Sequence, residues 1–230
     1  MASKPAVAPR ELQLGAKLPN IIGQSQLGVI RVHDYMDGGW GLLCTFPQTH
    51  HPVWMTELGM MQKLKEQFDA RNCRLMAMHI DPTKQQADFL ADVDETQEVK
   101  VSFPVLADET GELSRMLGLI PAAAPKHAAD QHRLPFSCTI LLDVGLTVRF
   151  LSYYPTCVGR NLYEVLRALD AYQLSIFNQV VTPTNWKVNE DVFVEPDVPS
   201  DAAKKLFPQG FHEIRPYLRI TASPAITEEK

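Results

Sequence analysis

Short apolar runs alternate with segments of helical periodicity, and this alternation constrains the fold more than any other feature of the chain. Gly41–Phe46 and Cys73–Ile80 are apolar runs of a length typical of buried strands. The segment that begins at Pro52 has apolar residues every three or four positions, which indicates an amphipathic helix. A second helix is predicted from Thr83 to about Val93. This order predicts an α/β layered domain.

The same alternation continues through the next part of the chain. Phe103–Asp108 is predicted to be extended and Glu109–Leu117 to be a helix. Cys138–Asp143 and Thr147–Tyr154 flank a short turn and are predicted to form a hairpin. Asn161–Phe177 is predicted to be a long amphipathic helix. A mixed sheet flanked by helices follows, which is compatible with a thioredoxin-like fold, although periodicity alone does not select that fold over other α/β sandwiches.

Composition divides the chain into four parts. Residues 1–10 are rich in Pro and Ala and are interpreted as a tail, and residues 11–178 form the predicted α/β domain. Residues 179–223 are punctuated by prolines and contain one predicted short helix, from Asp201 to Pro208. They are therefore interpreted as a small second module, and residues 224–230 as a second tail.

Composition also argues against several classes of protein. The 230 residues carry a net charge of −5 without a basic run, so neither nucleic acid nor an anionic membrane is expected as a partner. No stretch of about 18 apolar residues is present, so no membrane-spanning helix is expected. The first residues lack the apolar centre of a secretory signal. We therefore expect a cytoplasmic protein.

The cysteines are spaced as separate thiols, without a C-x-x-C pair: Cys44, Cys73, Cys138 and Cys157. This usage fits reduced thiols in the cytosol better than a disulfide framework. His50 and His51, with Cys44 and His79 on predicted strands nearby, raise the question of a metal site. Adjacent histidines on a turn cannot easily bind one ion together, and no carboxylate is spaced to complete the set. We expect neither a metal nor a cofactor.

The segment Trp40–Leu58 resembles the active-site segment of the peroxiredoxins, which reads roughly W-G, two apolar residues, three variable residues, then P-x-x-x-T-P-V-C-T-T-E-L. Other segments match markers of the one-cysteine clade of that family: Ile30–Tyr35, Tyr154–Asn161, Thr182–Lys187, Lys204–Gly210 and Tyr217–Arg219. The resemblance spans roughly residues 11–224. It implies a thioredoxin-like fold with a small C-terminal module that makes a homodimer.

The resemblance assigns pocket roles to six positions, three of which have changed residue type: Pro47, His51, Trp54, Glu57, Ser137 and Arg160. His51 stands at the threonine position and Trp54 at the position of the peroxide-attacking cysteine. Ser137 stands at the arginine position by ungapped counting, and Arg133 is the nearest arginine. Glu57 and Arg160 are retained neighbours of the pocket.

Trp54 offers no nucleophile, because an indole has one N–H donor and no proton that titrates at working pH. We interpret Trp54 as a core aromatic at the start of a helix, with a ligand platform as the alternative. Cys44, Cys73 and Cys138 are interpreted as small buried hydrophobic residues. Cys157 is the best candidate for a reactive thiol, since the resemblance places its loop near the pocket.

Some members of the clade also resemble serine lipases, with a G-x-S-W-G turn, a histidine and an aspartate. Here the serine position is Gly39, the histidine position is His33 and the aspartate position is Gly145. A triad without its nucleophile cannot act as one. His33 is therefore interpreted as a structural histidine beside Asp34.

Three hypotheses about function follow. The first is a catalytically inactive peroxiredoxin-like protein, a structural or interaction subunit that pairs with itself or a related peroxiredoxin, within a larger cytoskeletal or organellar assembly if one exists. The second is a thiol-dependent peroxidase that acts through Cys157 or through an active partner. The third is a binding module that senses a small ligand in the altered pocket. The first is the leading expectation, and no catalytic residue is expected under it.

Overall fold

The structure, a computed structural model, describes residues 12–120 and 136–225. The chain divides into two compact units, the first ending at Arg160 and the second beginning at Asn161. This division falls before the long helix that the sequence analysis assigned to the first domain, and the sequence-based domain limits remain predictions. The predicted tail of residues 1–10, Arg133 and the end of the second predicted tail lie outside the described residues.

The first unit is built on a seven-stranded mixed sheet with the order β2-β1-β5-β4-β3-β6-β7. Its strands are β1 (Ile22–Ser25), β2 (Gly28–Arg31), β3 (Trp40–Thr45), β4 (Cys73–His79), β5 (Val105–Ala107), β6 (Ser137–Leu142) and β7 (Val148–Tyr154). β4 pairs in parallel with β3 and β5, whereas the remaining pairs are antiparallel. The predicted hairpin of β6 and β7 and the predicted mixed sheet are both present.

The helices of this unit are α1 (Val32–Met36), α2 (Pro52–Lys63), α3 (Lys65–Asp69), α4 (Thr83–Gln97) and α5 (Glu112–Met116). α2 begins as predicted, with Pro52 at its first position and no hydrogen bond lost there. α4 runs past the predicted end at Val93 and stops where Glu98 adopts a left-handed conformation, with φ of 54°. α5 is shorter than predicted, because Gly111 turns the chain with φ of 67° just before it.

One face of the sheet carries the main core. Leu43 lies in register with Met76 on one side and with Ile140 on the other, so three central strands present apolar side chains to the same layer. Cys138 is part of this cluster and fully buried, in agreement with its interpretation as a small hydrophobic residue. Burial of this continuous apolar layer stabilises the unit chiefly through the hydrophobic effect.

The second unit contains α6 (Leu162–Asn178), β8 (Val180–Val181), β9 (Val192–Val194), α7 (Ser200–Leu206), β10 (His212–Arg215) and β11 (Leu218–Thr221). Its four strands form a sheet with the order β10-β11-β9-β8. Trp186, only 1% exposed, packs in a core with Val192 and Val194. No helix among residues 12–120 and 136–225 is long and apolar enough to span a membrane.

Candidate functional site

The candidate site lies at the start of α2, where the chain leaves the end of β3. Pro47 is buried in the connection, and His51 is the N-cap residue of α2. The Nδ1 atom of His51 accepts a hydrogen bond of 3.3 Å from the backbone N–H of Val53. His51 therefore replaces the usual serine or threonine cap with an imidazole acceptor, a role that the sequence analysis did not predict.

Trp54 fills the first turn of α2 and is 1% exposed. Its ring stacks on His51, with centroids 4.1 Å apart and planes inclined by 30°. Phe46 lies on another side, with its ring centroid 6.3 Å from that of Trp54. These contacts are those of a core aromatic residue, and they leave no indole face open as a platform for a ligand.

A buried ion pair joins Glu57 of α2 to Arg160. One carboxylate oxygen of Glu57 accepts a 2.7 Å hydrogen bond from the backbone N–H of Arg160. The other accepts a hydrogen bond from Nη1 of the same residue. Burial raises the pKa of the Glu57 carboxyl, and the contacts with Arg160 act in the opposite direction with the smaller effect. Both groups are desolvated, so each depends on the other for compensation.

The Arg160 guanidinium is held by acceptors on β3 and β6. Nε donates to Thr139 Oγ1 at 2.9 Å, and Nη2 donates to Ser137 Oγ at 3.0 Å. Nη2 also donates to the backbone carbonyls of Thr45 and Cys138. The guanidinium lies over the ring of Phe46, 4.9 Å from its centroid. Ser137, the position that the resemblance assigns to an arginine, thus accepts a hydrogen bond from an arginine elsewhere in the chain.

The four cysteine thiols differ in their exposure to solvent. Cys44, Cys73 and Cys138 are buried, whereas Cys157 is exposed. Burial raises the pKa of the Cys44 thiol to about 11 and that of the Cys138 thiol to about 12, and it raises the pKa of Cys73 further. A thiol with so high a pKa is almost entirely protonated at neutral pH and is a poor nucleophile.

His33, His50 and His79 lie in separate local environments. His50 stacks at an angle on Phe89, with ring centroids 5.4 Å apart, and His79 is buried. His33 contacts the backbone carbonyl of Leu18 through Nε2, at 2.9 Å, which fits a structural role. Within residues 12–120 and 136–225, no group of three His, Cys, Asp or Glu residues could hold a metal ion.

Gly39, which stands at the position of the lipase-like serine, has no room for a side chain because the neighbouring backbone lies too close. A Cβ atom at Gly39 would lie 2.9 Å from the carbonyl oxygen of Asn72, closer than real Cβ atoms approach backbone. Glycine is therefore required where the chain passes this close to its neighbour. A serine could not occupy this position without a shift of the backbone.

The groups around the Arg160 guanidinium form a cradle that was not predicted from the sequence: Thr45, Phe46, Ser137, Cys138 and Thr139. Thr45, Phe46 and Thr139 were missed, although Ser137 and Thr139 share one face of β6 by their spacing of two residues. That spacing was the available signal for a polar patch in an otherwise apolar strand.

Comparisons with known proteins define the class. Residues 14–150 match the AhpC/TSA family, and residues 171–210 match the C-terminal domain of 1-Cys peroxiredoxin. The chain belongs to the AhpC/TSA family, in its one-cysteine peroxiredoxin branch. It is 32% identical to the 1-Cys peroxiredoxin of Dictyostelium discoideum, over 93% of this chain and 86% of that protein. It is 34% identical to peroxiredoxin-6 of Rattus norvegicus, over 94% of this chain and all of that protein.

A comparison with solved structures supports the same family and fold. A yeast mitochondrial 1-Cys peroxiredoxin, studied for its thiol resolving mechanism via glutathione/thioredoxin systems, superimposes with a TM-score of 0.85 at 33% identity. The match covers 92% of this chain and 100% of that one. The predicted thioredoxin-like fold with a C-terminal peroxiredoxin domain is therefore confirmed.

The leading functional hypothesis is contradicted by the same relatives. They are named 1-Cys peroxiredoxins and peroxiredoxin-6, and the yeast structure concerns thiol chemistry, so the interpretation of this chain as a catalytically inactive structural subunit is wrong. That interpretation relied on the changed residue types at His51, Trp54 and Ser137, and it gave too little weight to Cys157, a thiol that the structure leaves exposed. The correspondence of Trp54 to the family's attacking cysteine remains a prediction.

Proposed function

We propose that this chain is a thiol-dependent peroxidase whose reacting thiol is Cys157. The observation that carries the proposal is the access of the thiols, because Cys157 alone among the four cysteines is exposed. The other three are held protonated by burial and cannot meet a peroxide without local unfolding. Membership of a peroxidase family supports the same reaction class.

The proposed reaction has two balanced steps. The Cys157 thiolate attacks one oxygen of a hydroperoxide, so that an S–O bond forms and the O–O bond breaks. The other oxygen takes up a proton and leaves as water or an alcohol, and Cys157 becomes a sulfenic acid. Two equivalents of an external thiol then restore the cysteine, releasing water and a disulfide of the external thiol.

The proposal also includes a partner and a location. We propose a dimer with a second copy or a related peroxiredoxin, supported by the match of residues 171–210 to the C-terminal domain of its relatives. A cytoplasmic location is proposed because the spacing of the cysteines suits reduced thiols.

The test compares the wild type with Cys157→Ser and with a matched control, Cys138→Ser, which changes a buried thiol. Hydrogen peroxide consumption is followed with dithiothreitol as reductant, and dimedone adducts are located by mass spectrometry. We expect an adduct on Cys157 in the wild type and loss of turnover in Cys157→Ser, with turnover retained in Cys138→Ser. Unchanged consumption by Cys157→Ser, or turnover only when a separately active peroxiredoxin is added, would refute the assignment of Cys157.

A further inference from the structure

Glu57 binds both the backbone and the side chain of Arg160. Its Oε1 atom accepts the backbone N–H of Arg160 at 2.7 Å, and its Oε2 atom accepts the guanidinium of the same residue. A carboxylate that binds only a side chain leaves the neighbouring backbone free to move. Here the carboxylate fixes the backbone itself, at a residue whose side chain is 0% exposed.

The backbone N–H of Arg160 that Glu57 binds lies at one end of a short loop that carries Cys157. The loop leaves β7 at Tyr154, which pairs with Ser137, and it contains a turn closed by a 3.0 Å hydrogen bond from the Val158 N–H to the Pro155 carbonyl. Its other end is Arg160. Cys157 itself is exposed and lies between these two ends of the loop.

The loop also lies close to the start of α2. A Cβ atom placed on Gly159 would be 3.7 Å from Val53 Cγ1 and 3.9 Å from Glu57 Oε1. Since α2 also carries Glu57, one rigid helix both contacts the loop and binds its end. The acceptors on Ser137 and Thr139 hold the guanidinium from the sheet side.

We propose that Glu57 is the positioning residue for the Cys157 loop. It fixes the loop through the backbone N–H of Arg160, and its second carboxylate oxygen binds the guanidinium of the same residue. The proposal rests on the proposed function for its relevance to catalysis. Its geometric content stands on the contacts of Glu57 alone and is tested without peroxide turnover.

The test uses two variants that weaken the two contacts of Glu57 in different ways. Glu57→Asp keeps the charge but is one methylene shorter, so it cannot hold the backbone N–H and the guanidinium as Glu57 does. Glu57→Gln keeps the length but removes the charge. Glu164→Gln is the matched control, since it removes a carboxylate from the partly exposed pair with Arg167.

Amide hydrogen exchange at Arg160 and the time course of native Cys157 alkylation by iodoacetamide at one fixed pH are the two readouts. We expect Arg160 exchange to accelerate about tenfold or more in both Glu57 variants and to stay unchanged in the control. The time course of Cys157 alkylation should likewise differ from that of the wild type in both Glu57 variants and match it in the control, because release of the loop at Arg160 changes the exposure of its thiol. If Glu57→Gln does not fold, the exchange and alkylation data of Glu57→Asp decide.

Wild-type exchange at Arg160 and a wild-type alkylation time course in the folded variants would overturn the proposal. Altered exchange and alkylation in a protein that consumes no peroxide would support the positioning role of Glu57 and refute the proposed function. The two ideas can therefore fail separately.

Discussion

His79 should make the stability of the first unit depend on pH. It lies at the end of β4, is 3% exposed, and accepts a 3.1 Å hydrogen bond at Nδ1 from the backbone N–H of Asp81. Its Nε2 atom has no hydrogen-bond partner within the described part of the chain. Burial lowers the pKa of His79 to about 4, against smaller opposing effects from Asp81 and Glu109.

The direction and size of the effect follow from proton linkage. In the unfolded chain His79 should titrate near its ordinary pKa of 6.5, so between that value and about 4 the unfolded state binds more protons than the folded state. Stability from this group is therefore fully present above pH 6.5 and is lost as the pH falls towards 4. The whole window corresponds to about 3 kcal/mol of unfolding free energy, as an order of magnitude.

Urea unfolding followed by circular dichroism at a series of pH values measures this loss. His79→Asn is the control, because its side-chain carbonyl can still accept the Asp81 N–H but does not titrate. We expect the unfolding free energy of the wild type to fall by roughly 1 kcal/mol per pH unit more than that of His79→Asn below pH ~6. Parallel pH curves for the two proteins would show that His79 does not remain neutral in the folded state.

Two further substitutions test the packing. Trp54→Ala should lower the unfolding free energy by about 3–5 kcal/mol, because it empties a fully buried site and removes the stack on His51. Trp54→Phe should lower the unfolding free energy by clearly less. Equal decreases for the two variants in urea unfolding would contradict tight packing around Trp54. Asn161→Ala should cost about 1 kcal/mol, since the Asn161 side chain accepts the Glu164 N–H at 3.2 Å as the N-cap of α6. Asn161→Asp should retain that stability, and a loss equal to that of Asn161→Ala would contradict the cap.

The central strands and the start of α2 could be predicted because their signals are local. β3 and β4 are short apolar runs, and Pro52 marks the first turn of a helix. The end of α4 could not be placed, since residues 94–97 are polar and carry no apolar period. That last turn ends where Glu98 adopts a left-handed backbone, a conformation that its side chain does not indicate.

The start of α5 depended on a contact across several residues. The Asp108 carboxylate accepts the backbone N–H groups of Leu113 at 3.1 Å and Ser114 at 2.7 Å. Gly111 adopts a positive φ between them, so the chain turns once before the helix begins. A pattern of polar and apolar residues predicts a helix here but not the turn that delays it.

The candidate site could be predicted as a set of residue types but not as a set of contacts. The resemblance singled out Glu57, Ser137 and Arg160 individually. Their arrangement depends on a meeting of α2, β6 and the residue at the end of the loop after β7, positions as far as 103 residues apart in the chain. Such long-range pairing leaves no periodic signal in the sequence.

Ser137 explains why the cradle takes this form. A serine hydroxyl can accept a hydrogen bond from Arg160, whereas an arginine at the same position could only donate and would add a second positive charge beside the first. With Ser137 and Thr139 as acceptors, the Arg160 guanidinium turns towards the sheet, and Glu57 can hold the backbone at the end of the loop. Ser137 is therefore connected through Arg160 to the end of the loop that carries Cys157, although Ser137 and Cys157 lie on different elements of the chain.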